Sequence, residues 1–261
     1  MTIETIRRTP DQLLDLTPLL FVHGAWHGAW CWEDHFLDHF AAQGREVGAV
    51  SLRHHGNSTA QSKRVRWCSK NAYVFDVEKS VAEFSRPPVL VGHSMGGYIT
   101  QHYLARHEMP GAVLMASIPP NGVVGTTLAL ARRHPLAFIR SNLTMSLAPY
   151  VATVDLVREN FFGADTPEEV VQHCFDRLSD ESFRVFIDML ISRPDIADTS
   201  TPMLVMGALR DALISPKAVA HTAEVFGAEL KMIDTAHDMM LEPEWALSAT
   251  VIDEWLTSRK L

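Results

Sequence analysis

Cysteine is scarce in this chain. Cys31, Cys68 and Cys174, three residues in 261, are odd in number and far apart. They form neither a disulfide framework nor a zinc pattern, and so predict a reducing, cytoplasmic setting. Long apolar runs are missing too. No stretch approaches the roughly 20 residues needed to cross a bilayer, and Met1 to Asp11 carries charges with no apolar core of signal-peptide length. Neither a secretory leader nor a membrane partner is expected. Internal repeats and low-complexity segments are absent. Positive charge is also in short supply: 23 Lys and Arg against 31 Asp and Glu leave a formal net charge of −8. The basic runs Lys63-Arg64-Val65-Arg66 and Arg132-Arg133 are too short for a binding stripe, which argues against nucleic acid as a partner. What remains is ordinary globular composition, 47% hydrophobic and 21% charged. A chain of this length suits one compact domain with a large core and an inserted subdomain.

Short apolar runs alternate with helical stretches. Pro18–Val22, Val47–Leu52, Pro88–Val91, Ala112–Met115, Met203–Met206 and Leu230–Ile233 read as strands. Runs so continuously apolar suit parallel strands covered on both faces. Trp30–Ala42, Ala72–Ser85, Ser94–Arg106, Pro216–Phe226 and Pro243–Thr257 read as the helices between them. The rhythm breaks between about Pro119 and Thr199, where the chain looks helical throughout. Asp165-Thr166-Pro167-Glu168-Glu169 supplies a helix start with proline and acids in the first turn, and Asp180-Glu181-Ser182-Phe183 begins another. The fold class predicted is α/β, a mostly parallel central sheet flanked by helices. Residues 1–118 and 200–261 form the core, and 119–199 a helical cap over the sheet's C-terminal edge, where open α/β sheets bind ligands.

Gly92-His93-Ser94-Met95-Gly96 fits Gly-x-Ser-x-Gly in its proper setting, an apolar strand before it and a helix after it. Glycines flank the serine because a Cβ would collide in so tight a turn, and Gly97 adds a third small residue. A serine hydroxyl is a weak nucleophile until a positioned base takes its proton. An acid and a histidine, each just beyond a strand, follow in order: Asp211 after Met203–Met206, and His237 after Leu230–Ile233. Asp234 and Asp238 stand too close to His237 in sequence to be its preferred partner, and Asp195 and Asp198 belong to the cap boundary. Most of the thirteen histidines are expected on the surface or in structural roles. The oxyanion of acyl transfer needs backbone N–H donors, each worth about 3–4 kcal/mol. Met95 supplies one, and the loop His23-Gly24-Ala25-Trp26 the other, with Ala25 expected ahead of Trp26.

With these parts placed, the chain resembles the α/β-hydrolase superfamily over nearly its whole length. Phe21-Val22-His23-Gly24-Ala25-Trp26-His27-Gly28-Ala29-Trp30-Cys31-Trp32 and His237-Asp238-Met239-Met240-Leu241-Glu242-Pro243 are similar to segments of its methyl-ester esterase and hydroxynitrile lyase branch. Leu52-Arg53-His54-His55-Gly56-Asn57-Ser58 is similar to the superfamily loop Arg-Gly-His-Gly-x-Ser, with His54 in the place of glycine. Lyases of the branch carry threonine after the first motif histidine and lysine after the catalytic one. Gly24 and Asp238 stand there in this chain, and Asp238 would oppose cyanide if it faced the pocket. The resemblance implies a cofactor-free, metal-free serine hydrolase acting on a small, largely apolar ester. Its roles are nucleophile for Ser94, base for His237 and orienting acid for Asp211. Gly24, Trp26, Phe138, Met145, Phe162 and Met189 are expected to contact substrate, and Leu128, Phe161 and Phe186 are further candidates from the cap. A lyase, a carbon–carbon hydrolase, a cofactor-independent oxygenase and a non-enzymatic receptor are the alternatives on this fold. A homodimer is the assembly left open.

Overall fold

A computed structural model describes residues 1–10, 12–60, 64–195 and 199–261. Lys63 of the basic run and Asp198 of the cap boundary lie outside the described residues, as does Asp11. In chain order the elements are β1 (Glu4–Arg8), β2 (Leu19–Val22), α1 (Trp30–Glu33), α2 (Phe36–Ala42), β3 (Val47–Ser51), α3 (Lys70–Val81), β4 (Val89–His93), α4 (Met95–Leu104) and β5 (Ala112–Met115). The α-helices that follow among the described residues are α5 (Val124–Arg133), α6 (Pro135–Thr144), α7 (Val154–Phe161), α8 (Glu168–Arg177) and α9 (Phe183–Ile191). The chain then returns through β6 (Met203–Ala208), α10 (Pro216–Phe226), β7 (Glu229–Ile233) and α11 (Trp245–Arg259).

The strands form one sheet in the order β1-β3-β2-β4-β5-β6-β7. Every pairing is parallel except β1 with β3. Side chains alternate across a strand, and the sheet divides the core accordingly. Leu19, Phe21, Val89, Val91, Val113 and Met115 join Trp32, Phe36, Phe40, Ile252 and Trp255 from α1, α2 and α11. Leu20, Val22, Leu90, Ala112 and Leu114 join Tyr73, Val77, Tyr98, Ile99 and Val219 from α3, α4 and α10. Each such side chain, withdrawn from water, contributes about 1.5–3 kcal/mol.

Local chemistry accounts for the departures from expectation. The helix expected over Trp30–Ala42 is two, because His35 leaves helical geometry (φ −140°, ψ −56°) and stacks on Trp245 at 4.6 Å. β1 carries a single large apolar residue, Ile6, among charges, so its pattern hides it; Arg7 lies over the Phe84 ring and Arg8 pairs with Glu33 and Asp38. β7 is not covered on both faces: Glu229, Leu230 and Lys231 are exposed, as suits an edge strand. At α8 the residue before the helix is Pro167, while the Thr166 hydroxyl donates to Glu242 at 2.8 Å and does not cap the helix. Ser182 and Ser215 do cap α9 and α10, accepting from Val185 and Ala218. All three cysteines are buried free thiols. Among the described residues no helix is long and apolar enough to cross a membrane.

Candidate active site

The C-terminal ends of β2, β4, β6 and β7 converge on Ser94. Strand β4 runs straight into it and α4 starts at the next residue, which forces Ser94 to φ 52°, ψ −117°. A non-glycine residue there stores about 1–3 kcal/mol of strain, held only because the surroundings over-determine it. The Ser94 amide donates to the Met115 carbonyl at 3.0 Å, and its carbonyl accepts from Ile118 at 3.1 Å. The three glycines are required by space. A Cβ on Gly92 would stand 2.7 Å from the Gly96 oxygen, one on Gly96 would strike the carbonyls of Val22 and His23, and one on Gly97 would strike Ser117.

His237, in the loop after β7, places Nε2 3.0 Å from Ser94 Oγ and Nδ1 2.8 Å from Asp211 Oδ2. A carboxylate only accepts, so Nδ1 carries the proton and Nε2 is left free to accept from the serine hydroxyl. Asp211 is itself oriented: its Oδ1 accepts from the amides of Leu213 at 2.7 Å and Ile214 at 2.9 Å. Burial disfavours a charged His237, but attraction and a hydrogen bond from Asp211, with Asp238 adding, outweigh it and hold its pKa above the usual 6.5. His93 is driven the other way, down to about 3, by burial and by its neighbour His237. It therefore stays neutral and donates from Nε2 to the His237 carbonyl at 3.0 Å.

The structure thus brings Ser94, Asp211 and His237 together. The rival acids lie elsewhere: Asp234 is exposed and paired with Arg210, and Asp195 is exposed. Asp238 is fully buried, turned to His27, and absent from the lining of the cavity beside Ser94.

The loop after β2 holds one of the two expected oxyanion donors, Ala25, and α4 begins with the other, Met95. Trp26 adopts φ 65°, and its own amide is taken by Glu181 at 3.3 Å. Its indole donates to the Leu147 carbonyl and its carbonyl accepts from Ser179. The Ala25 amide has no intramolecular partner among the described residues, and neither has Met95, whose N–H is one of the orphans of the first turn of α4. Ala25, Met95 and Ser94 all border the same cavity.

That cavity, about 70 Å³ in volume, is walled by apolar side chains from the sheet edge and the helical segment. Trp26, Met189 and Phe186 line it as expected, joined by Ile118, Leu130, Leu147, Tyr150 and Leu213. Other expected residues do not. Phe138 is half-buried on α6, Met145 is exposed at its left-handed end, and Phe162 is packed into the core. Leu128 points outward where Leu130 points in, and Phe161 packs on the rings of His237 and His27. Gly24 lies against His93 and Ser94 rather than on the wall. Which face a cap helix turns inward is decided by packing, and spacing alone left it open.

Sequence reasoning missed a buried anchor of this site. His55 Nε2 stands 3.1 Å from Glu181 Oε2, and Tyr73 donates to Glu181 Oε1 at 2.7 Å. His54, in the place of glycine, takes the left-handed φ of 68° that explains the loop's usual residue. Thr166, Gly163 and Glu242 form a smaller polar cluster behind α8.

Residues 19–249 match the model of the Alpha/beta hydrolase family. The chain is similar to Norfluorocurarine synthase 1 of Strychnos nux-vomica, 33% identical over 112 residues, which span 40% of each chain. It is also similar to Methylesterase 10 of Arabidopsis thaliana, 33% identical over 124 residues, covering 40% of this chain and 44% of that one. The match therefore spans less than half the length of these curated relatives. Among solved structures, the putative non-heme bromoperoxidase BpoC of Mycobacterium tuberculosis H37Rv superposes with a TM-score of 0.78 at 17% identity, over 100% of this chain and 97% of that one. At that identity the likeness shows the fold.

Proposed function

This chain belongs to the alpha/beta hydrolase family, and on that premise we propose that it is a cofactor-free serine hydrolase cleaving small, largely apolar carboxylic esters. The observation that carries the reading is the continuous chain from Asp211 through His237 to Ser94, at 2.8 and 3.0 Å, opening on an apolar cavity. Ser94 Oγ attacks the acyl carbon as His237 Nε2 takes its proton, and the Asp211 carboxylate stabilises the resulting imidazolium. The amides of Met95 and Ala25 receive the oxyanion. His237 returns the proton to the leaving alcohol, giving an acyl-enzyme. Water, deprotonated by the same nitrogen, then releases the acid and restores Ser94.

Gly24 favours this reading over cyanohydrin cleavage. A threonine Cβ at that position would lie 2.8 Å from His93 Nδ1 and 3.1 Å from Ser94 Cβ, so the hydroxyl that the lyase branch carries there has no room beside this backbone. A cytoplasmic location belongs to the same reading. An aryl fluorophosphonate should label Ser94 alone, and short-chain p-nitrophenyl esters should be turned over in the steady state rather than acylate the protein once. Ser94→Ala should abolish both with little change in melting temperature. Labelling that persists in Ser94→Ala overturns the assignment.

A further inference from the structure

A second buried histidine–carboxylate pair lies behind Ser94, His237 and Asp211, and the proposed reaction does not use it. His27, after β2, and Asp238, after β7, are 1% and 0% exposed. His27 Nε2 stands 3.0 Å from Asp238 Oδ2, and on the far side of the ring Nδ1 stands 2.7 Å from the Ala25 carbonyl oxygen. A carbonyl oxygen can only accept, so Nδ1 must donate to it. Two acceptors cannot share a hydrogen bond, so a proton also lies between Nε2 and Oδ2. With both protons in place the pair is neutral as a whole, which is the state that burial tolerates.

Each end of the pair grips a working part of the site. Ala25 carries the expected oxyanion amide. Asp238 follows His237 directly, its own amide donates to the Phe161 carbonyl at 3.0 Å, and the Phe161 ring packs against that of His237. The second carboxylate oxygen, Oδ1, has no hydrogen-bond partner among the described residues and faces His93 Nε2 at 3.9 Å, the nitrogen that donates to the His237 carbonyl. A buried carboxylate oxygen left unbonded is costly, and here it is surrounded by the histidines of the site.

We infer that His27 and Asp238 form a positioning bridge that fixes the spacing between the oxyanion amide of Ala25 and the base His237. The inference rests on the hydrolase reading for its catalytic consequence, but the bridge itself is a statement about two side chains. Asp238 also supports the charged form of His237. The titratable groups around Asp238 are His27, His93, His237 and the thiols of Cys31 and Cys174. Cys174 Sγ lies 3.7 Å from His27 Nε2, and with Asp238 it completes three donor atoms within 4.8 Å of one another. A metal ion held there would separate Nε2 from Oδ2, and so it is a competing outcome.

The test uses the full chain and its Asp238→Asn, His27→Gln and double variants, with rates referred to titrated active sites. In the wild type, proton NMR should show a far-downfield His27 N–H that exchanges slowly with water and disappears in Asp238→Asn. The NMR titration midpoint of His237 should fall in that variant. Turnover of p-nitrophenyl acetate should drop at least tenfold in kcat with KM within twofold. The double variant should lose no more than the worse single one, because the two residues act as a unit. Should Asp238→Asn not fold, His27→Gln is read by the same kcat and His237 measurements. An unchanged kcat and His237 midpoint with only a lower melting temperature would reduce the pair to a packing role and overturn the bridge. So would losses that multiply in the double variant, or an equivalent of zinc retained by the wild type. If the wild type turns over no ester, the hydrolase reading falls, and the two NMR measurements still decide the bridge.

Discussion

On the proposed reading, proton transfer at His237 depends on the carboxylates on either side of it. As a base it must start neutral, so kcat/KM should fall as the pH drops through its pKa. Burial alone would put that pKa low, but Asp211 and then Asp238 raise it above the usual 6.5. The acid limb of kcat/KM for a p-nitrophenyl ester should therefore have its midpoint above that value. Asp211→Asn removes the strongest support and the tautomer control, and should move the midpoint down while lowering kcat by about 10⁴-fold. A midpoint that stays where it was in Asp211→Asn contradicts the orienting role. At this scale much was legible beforehand. Ser94, Asp211 and His237 each stand just past a strand, in the order the motif demands. The direction in which Asp238 turns was not legible, because its surroundings come from His27, 211 residues earlier, and no local pattern shows which way a side chain turns.

Between elements, the helical segment is tied to the sheet by charge as well as by packing. Glu181, at the start of α9, reaches His55 in the loop after β3, Tyr73 on α3 and the amide of Trp26. Burial opposes the charge on Glu181, but His55 and the donors around it pull its pKa below the usual 4.5. Burial likewise opposes charge on His55, and Glu181 raises its pKa above the usual 6.5. The signs set a window. The glutamate's contribution is present above its ordinary value and is lost as pH falls through the lowered folded one. The histidine's is complete below its ordinary value and is lost as pH rises through the raised folded one. Glu181→Gln should therefore cost about 3 kcal/mol in urea unfolding, with the largest gap from wild type between the two ordinary values, 4.5 and 6.5. A gap that does not vary with pH would mean the pair is not ionised. The α/β alternation outside this segment was legible because buried parallel strands are continuously apolar. β1 was not, since an antiparallel edge strand can be built largely from charged residues.

On the proposed reading, the whole molecule sets the size of the ester it accepts. The sheet supplies Ser94, His237 and the loop proposed to receive the oxyanion, and the helical segment closes over them, leaving about 70 Å³ lined by Trp26, Leu147, Phe186 and Met189 among others. Among the described residues no charged side chain lines that space to meet an acidic or basic acyl group. p-Nitrophenyl acetate and butyrate should accordingly be hydrolysed faster than the octanoate. Met189→Ala should shift the preference toward the longer chain, at a stability cost of about 2–3 kcal/mol for the lost packing. Gly24→Thr should lower ester turnover at least tenfold, since its Cβ must displace His93, which lies 2.8 Å away, and with it the His237 carbonyl that His93 holds. The same geometry predicts no cyanide release from mandelonitrile above the buffer rate. Asp238 plays no part in that last expectation, because it faces the core; the crowding at Gly24 carries it alone. Cyanide release that requires Ser94, in the absence of ester turnover, would reverse the choice between hydrolysis and lysis. An unchanged chain-length preference in Met189→Ala would remove the acyl group from this cavity.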